Sequence, residues 1–150
     1  MSPVEALSLD TEFNLALQCE PREIERARLA LLNFLAPAQL PDRTIYRVEL
    51  VAEEILSNII GYAFTGPPPA TIALSAAVLA RDVVLTFEDN GRPFDPVAAP
   101  EPTRAEAHAS KVGGWGISLV RRFADRMYYE RRDGRNLLEI RIALDTDATR

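Results

Sequence analysis

Glu54 and Asn58 interrupt the most regular apolar pattern in the chain, and their types and spacing could do chemistry together. Residues i and i+4 of a helix lie one above the other, so both can reach into one pocket. A half-buried carboxylate can act as a general base, and an amide oxygen one turn on can coordinate Mg²⁺ without adding a second negative charge. Glu53 points roughly 100° away around the 3.6-residue turn and is expected to face elsewhere. Asp89, followed by Asn90 and Gly91, stands at the end of a strand-like run. A carboxylate there can accept from an exocyclic amine, and the glycine lets the backbone turn tightly. Gly113-Gly114-Trp115-Gly116 opens a later helical pattern. Its missing side chains expose amide protons, and a helix N-terminus favours an anion such as phosphate. Each feature alone also fits a plain role, namely a solvated helix edge, an ordinary turn and a hinge.

The elements that must position these groups follow from hydrophobic period. Phe13, Leu15, Leu17 and Cys19 alternate as in a strand with one buried face. Pro21 suits a first helical turn, and Ile24, Ala27, Arg28, Leu31 and Leu35 recur at helical spacing until Pro37 ends the pattern. After Pro41-Asp42, a second helix carries Val48, Val51, Ala52, Ile55, Leu56, Ile59 and Ile60 on one stripe. Gly66-Pro67-Pro68-Pro69 forbids regular structure. Runs 71–79 and 83–89 are so closely spaced that they must form an antiparallel hairpin. Residues 92–112 hold four prolines and no sustained period, the texture of a long loop of the kind used as lids. A third helix is expected from Trp115 through Ile117, Val120, Ala124 and Met127. Runs 127–132 and 137–144 flank the turn dipeptide Asp133-Gly134. The order predicts an α+β two-layer sandwich, with a mixed, mainly antiparallel sheet covered on one face by helices.

With 150 residues, 47% hydrophobic and 26% charged, the chain suits one domain spanning 1–150 with a packed core. A net charge of −5 opposes direct binding of a nucleic-acid backbone. No apolar run approaches the roughly 20 residues of a membrane span, and the start lacks a leader pattern, so a cytoplasmic protein is expected. Cys19 is the single cysteine, which excludes an internal disulfide. His108 falls inside the 92–112 loop and is read as a surface residue without a role. Trp115, Tyr128 and Tyr129 are read as core or interface aromatics. The glycine segment follows a loop instead of a first strand, which excludes a Rossmann reading, and no P-loop motif occurs.

Taken in order, the three elements resemble the GHKL (Bergerat-fold) ATPase superfamily, which includes DNA gyrase B, histidine-kinase catalytic domains and anti-sigma-factor serine kinases. The likeness is strongest to the last and runs from the first strand to Leu144, with Asp95-Pro96 after Phe94 adding to it. The resemblance implies ATP and Mg²⁺ as cofactors. By it, Glu54 is the catalytic base, Asn58 the Mg²⁺ ligand, and Asp89 the residue holding the adenine amine. Gly91 lets the base approach, Gly113, Gly114 and Gly116 line the phosphates, and 92–112 closes over them as the lid. The chain departs from the family pattern at Tyr62 and Phe64, where these kinases often carry His and Tyr. It also has Pro93 in place of a later glycine, and a doubled acid at Glu53-Glu54. The implied function is an ATP-dependent protein-serine kinase that phosphorylates a STAS-domain anti-sigma-factor antagonist and sequesters a sigma factor. The alternative is an ATP-gated interaction module of the same fold without phosphoryl transfer, and homodimerisation is left open. A detached histidine-kinase catalytic domain fits less well, since the chain begins with the first strand.

Overall fold

In the computed structural model, which describes residues 12–98 and 114–144, the alternating runs become one open sheet. Its strands are β1 (Glu12–Leu17), β2 (Ile72–Val78), β3 (Asp82–Asp89), β4 (Arg126–Arg132) and β5 (Arg135–Ala143), in the spatial order β1-β2-β3-β5-β4. All four pairings are antiparallel. Three helices, α1 (Arg22–Leu35), α2 (Asp42–Tyr62) and α3 (Gly114–Phe123), share one buried core with a single face of the sheet. This is the α+β two-layer arrangement of the sequence reading, with the sheet antiparallel throughout.

Register decides what the helices meet. Because side chains alternate across a strand, cross-strand partners share a face. One inward row runs Leu15, Leu74, Phe87, Leu138, Tyr129, and the next runs Phe13, Ala76, Leu85, Ile140, Met127. Leu74, Phe87, Leu85 and Ile140 at their centres are fully buried. The hairpin turn between β4 and β5 places Asp133 at φ 53° and Gly134 at φ 76°, the left-handed pair that a tight two-residue turn demands.

Helix ends follow local chemistry. Glu23 and Glu25 in the first turn of α1 complement the helix dipole. Near Pro37, which has no amide proton to donate, α1 gives way to a short 3-10 turn, Ala36–Ala38, and Gln39 at φ 53° reverses the chain. Ala27, Leu31 and Leu35 of α1 are buried as expected. Arg28, which the spacing put on that stripe, instead lies at the helix edge, paired with Glu25 and with Glu49 of α2. The third helix is shorter than its spacing suggests. It ends at Phe123, the Asp125 amide donates to the Arg141 carbonyl at 2.8 Å, and Met127 pairs with Ile140 in the sheet. The i+4 interval from Phe123 to Met127 is apolar in either geometry, so spacing alone did not place the boundary.

Candidate functional site

The last inward row of the sheet changes character. It begins with Leu17 and Ile72 and continues as Asp89, Asn136 and Arg131. Asp89 and Asn136 are buried, so their polar atoms need partners. Asp89 Oδ1 accepts from the Gly91 amide at 2.8 Å and from Asn136 Nδ2 at 3.0 Å. Among the described residues no hydrogen bond reaches its other oxygen, Oδ2. Asn136 Nδ2 also donates to the Arg92 carbonyl at 2.9 Å, while Asn136 Oδ1 accepts from the Tyr129 hydroxyl at 2.5 Å and from Arg131 Nη1 at 3.1 Å. Arg131 Nη1 donates as well to the Gly91 carbonyl at 2.7 Å.

Gly91 joins this polar row to the end of α2. The Arg92 amide donates to the Ala63 carbonyl at 2.9 Å, and a Cβ added at Gly91 would stand 2.6 Å from both Ala63 Cβ and Ala63 O. Glycine is required there because the turn lies against the C-cap of α2.

Glu54 and Asn58 lie back along the same helix. Ala63 is five residues past Asn58 and nine past Glu54, about 7.5 and 13.5 Å along the axis at 1.5 Å per residue. Both are half-buried at the margin of the stripe formed by Val48, Val51, Ala52, Ile55, Leu56 and Ile59. Asn58 Nδ2 donates to the Glu54 carbonyl at 2.8 Å, which leaves Oδ1 as the amide atom not used in that bond. The Glu54 carboxylate has no hydrogen bond or ion pair among the described residues. Burial, helped by the charge of Glu53, pushes its carboxyl above the ordinary 4.5. Glu53 is exposed, on another side of the helix by the 3.6-residue period, and its charge is felt by Arg28 of α1.

Gly114 and Gly116 fall in the first turn of α3, which packs on α2, with Phe123 edge-on to Tyr46 at 6.4 Å. Gly113 lies outside the described residues, as do His108 and the 99–112 part of the expected lid. The described stem of that segment is held to α3, since Arg121 Nη2 donates to the Pro96 carbonyl at 2.8 Å. Tyr62 is exposed in the last turn of α2, and Phe64 packs partly against the core.

Sequence reasoning missed Asn136 and Arg131, and it read Tyr129 as a core or interface aromatic. Tyr129 does pack against the core, and its hydroxyl also donates into the Asp89 network, whereas Tyr128, on the open face, donates to Glu130. A signal was available: the inward alternation Ile142, Ile140, Leu138 run back one step lands on Asn136. A groove of about 680 Å³ lies elsewhere, lined by Ala16, Leu17, Gln18, Arg22, Glu23 and Arg26. There the Glu23 carboxylate and Arg26 guanidinium satisfy each other, the Gln18 amide and the Ala16 carbonyl, so we place the candidate site at the Asp89 row.

An open antiparallel sheet covered on one face by helices, with polar groups gathered along one helix and at one end of the sheet, defines a class. The chain belongs to the histidine kinase-like ATPase domain family, whose pattern matches residues 17–142. It is 38% identical over 99 residues to the serine/threonine-protein kinase BtrW of Bordetella bronchiseptica, an alignment spanning 65% of this chain and 70% of BtrW. Its fold resembles the structure of the RsbU and RsbW domains of Rv1364c from Mycobacterium tuberculosis (TM-score 0.64, 13% identity), covering 89% of this chain and 32% of that one. It also resembles the blue-light activated histidine kinase EL346 of Erythrobacter litoralis (TM-score 0.56, 22% identity, 74% and 34% covered). The chain thus spans about a third of the length of these solved proteins. No helix among the described residues is long and apolar enough to cross a membrane.

Proposed function

We propose that this chain is an ATP-dependent protein-serine kinase of the anti-sigma-factor type, acting on a serine of a STAS-domain antagonist and sequestering a sigma factor. The observation that carries the reading is the state of Glu54. It is a half-buried carboxylate of raised proton affinity with no hydrogen bond or ion pair among the described residues, one turn from an amide whose nitrogen is taken by the Glu54 carbonyl and whose oxygen is left for a ligand. The likeness to BtrW, named a serine/threonine-protein kinase, supports the choice of activity.

The residues present suit Mg-ATP. Asn58 Oδ1 would ligate the cation, and Asp89 Oδ2 would accept the adenine amine. Gly114 and Gly116 in the first turn of α3, with Gly113 preceding them in sequence, would offer amides to the phosphates, and 92–112 would cover them. No cluster of three acidic, His or Cys side chains that could hold a metal occurs among the described residues, so a cation at Asn58 would draw most of its ligands from phosphate and water. Bound ATP would supply the phosphoryl group and leave as ADP. Glu54 would take the proton from the serine hydroxyl as its oxygen forms the bond to phosphorus, and the raised proton affinity makes that carboxylate the stronger base. A base so placed contributes about 10² to 10⁴ in rate.

The test is incubation with labelled ATP and a STAS-domain antagonist. Phosphoserine on the antagonist supports the reading. Nucleotide-dependent binding without phosphoserine would replace it with the ATP-gated interaction module, which the family His replaced by Tyr62 also motivates.

A further inference from the structure

We propose that Asn136 is a positioning residue for base recognition: it fixes the Asp89 carboxylate so that one oxygen alone is offered to a nucleobase, and so sets the preference for an amino base over an oxo base. The inference rests on the ATP reading given above. A terminal carboxylate torsion is broad and roughly two-fold, so burial alone does not determine which oxygen is presented or at what angle. Here Oδ1 is consumed by two donors, the Gly91 amide and Asn136 Nδ2, which leaves Oδ2. The Asn136 amide is itself locked. A flip would turn its oxygen toward Asp89 Oδ1, but Tyr129 and Arg131 both donate to that oxygen where it stands, and the second amide proton is committed to the Arg92 carbonyl. All four hydrogen-bonding valences of the side chain are thereby used, two donated and two accepted. Polarity is relayed from β4 through Asn136 to Asp89. A carboxylate oxygen held this way accepts from the exocyclic amine of adenine and opposes the carbonyl that hypoxanthine carries at the same place.

The experiment compares dissociation constants of Mg-ATP and Mg-ITP for the full chain and for Asn136→Ala, Tyr129→Phe and Asp89→Ala, with melting temperatures taken without nucleotide. The parent should prefer ATP, and Asp89→Ala should remove the preference. Asn136→Ala should reduce the ITP-to-ATP ratio about tenfold, the size of one charge-assisted hydrogen bond, by weakening ATP more than ITP. Tyr129→Phe, which keeps the ring and removes one lock on the flip, should reduce the ratio by a smaller factor. If Asn136→Ala does not fold, Tyr129→Phe decides. A merely structural role would weaken both nucleotides alike and leave the ratio unchanged. An unchanged ratio in every folded Asn136 and Tyr129 variant, with preference intact in the parent, overturns this inference alone. A parent that binds neither nucleotide overturns the ATP reading and this inference with it, whereas one that binds both equally overturns the Asp89 assignment and this inference and leaves ATP binding standing.

Discussion

Replacing Gly91 by alanine should damage the protein before any nucleotide is added. The new Cβ would sit 2.6 Å from Ala63 Cβ and 2.6 Å from Ala63 O, and 3.0 Å from Asp89 Oδ1. Two of those three atoms belong to the end of α2, and one is backbone, so the strain cannot be relieved by a side-chain rotation. Separation to ordinary contact requires a shift of about 1 Å, in the range of overpacking changes that cost about 1–3 kcal/mol. The same shift strains the Arg92 amide to Ala63 carbonyl bond and the Gly91 amide to Asp89 bond, each contributing about 1 kcal/mol. Together these predict a loss of about 2–4 kcal/mol, and for a chain of this size a fall in melting temperature of roughly 5–15 °C. Thermal melts of parent and Gly91→Ala, without nucleotide and again with saturating Mg-ATP, give the answer. A nucleotide-free melting temperature unchanged within 2 °C, alongside a large loss of ATP affinity, would refute the packing argument and return Gly91 to ligand clearance alone.

Glu54→Gln should bind Mg-ATP and partner nearly as well as the parent while losing on the order of 10² or more in phosphorylation rate, whereas Glu53→Gln should lose little, as initial-rate assays would show. Because the folded carboxyl of Glu54 is raised above 4.5, its ionised form costs stability above that raised value and the cost is relieved as pH falls through it. Glu54→Gln should therefore melt no lower than the parent at pH 7, and the parent's rate should fall on acidification at a higher pH than an ordinary carboxylate would dictate. Asn58→Ala should abolish the difference in nucleotide affinity with and without Mg²⁺ by titration calorimetry, and a preserved difference would assign the ligand elsewhere. Arg26 and the Gln18 amide hold the Glu23 carboxyl down to about 2 from the ordinary 4.5. Its stabilising effect is thus present above 4.5 and lost as pH falls toward about 2. Melts of Glu23→Gln should lie below the parent at neutral pH and converge with it across that window.

The fold was largely legible because its elements carry unambiguous periods. The α2 stripe and the β3 and β5 alternations each repeat often enough to exclude the other geometry, while Pro37 marks the end of α1, Pro41 the start of α2 and Asp133-Gly134 the start of β5. The candidate residues on single elements were legible for the same reason, since Glu54, Asn58 and Glu53 separate by angle on one helix. What stayed hidden depends on contacts between elements. Asn136 acquires its role only when β5 is laid beside β3 in the register that sets it against Asp89, and Tyr129 only when β4 is added. The packing of Gly91 stayed hidden because its neighbour, the end of α2, is 28 residues earlier in the chain. Met127 misled because a single apolar residue after a helix carries no period of its own.

Hanging the candidate groups on α2 makes that helix a ruler whose graduations cannot be altered. One residue inserted between Asn58 and Ala63 would rotate Asn58 by 100° and shift it 1.5 Å relative to the turn clamped at Ala63, while Glu54 and Asn58 stayed in phase with each other. An insertion in the segment from Gly66 to Pro69 lies past the clamp and leaves all three marks where they are. The chain therefore has a fixed gauge up to Ala63, and a change in length only a few residues later is expected to leave that gauge intact.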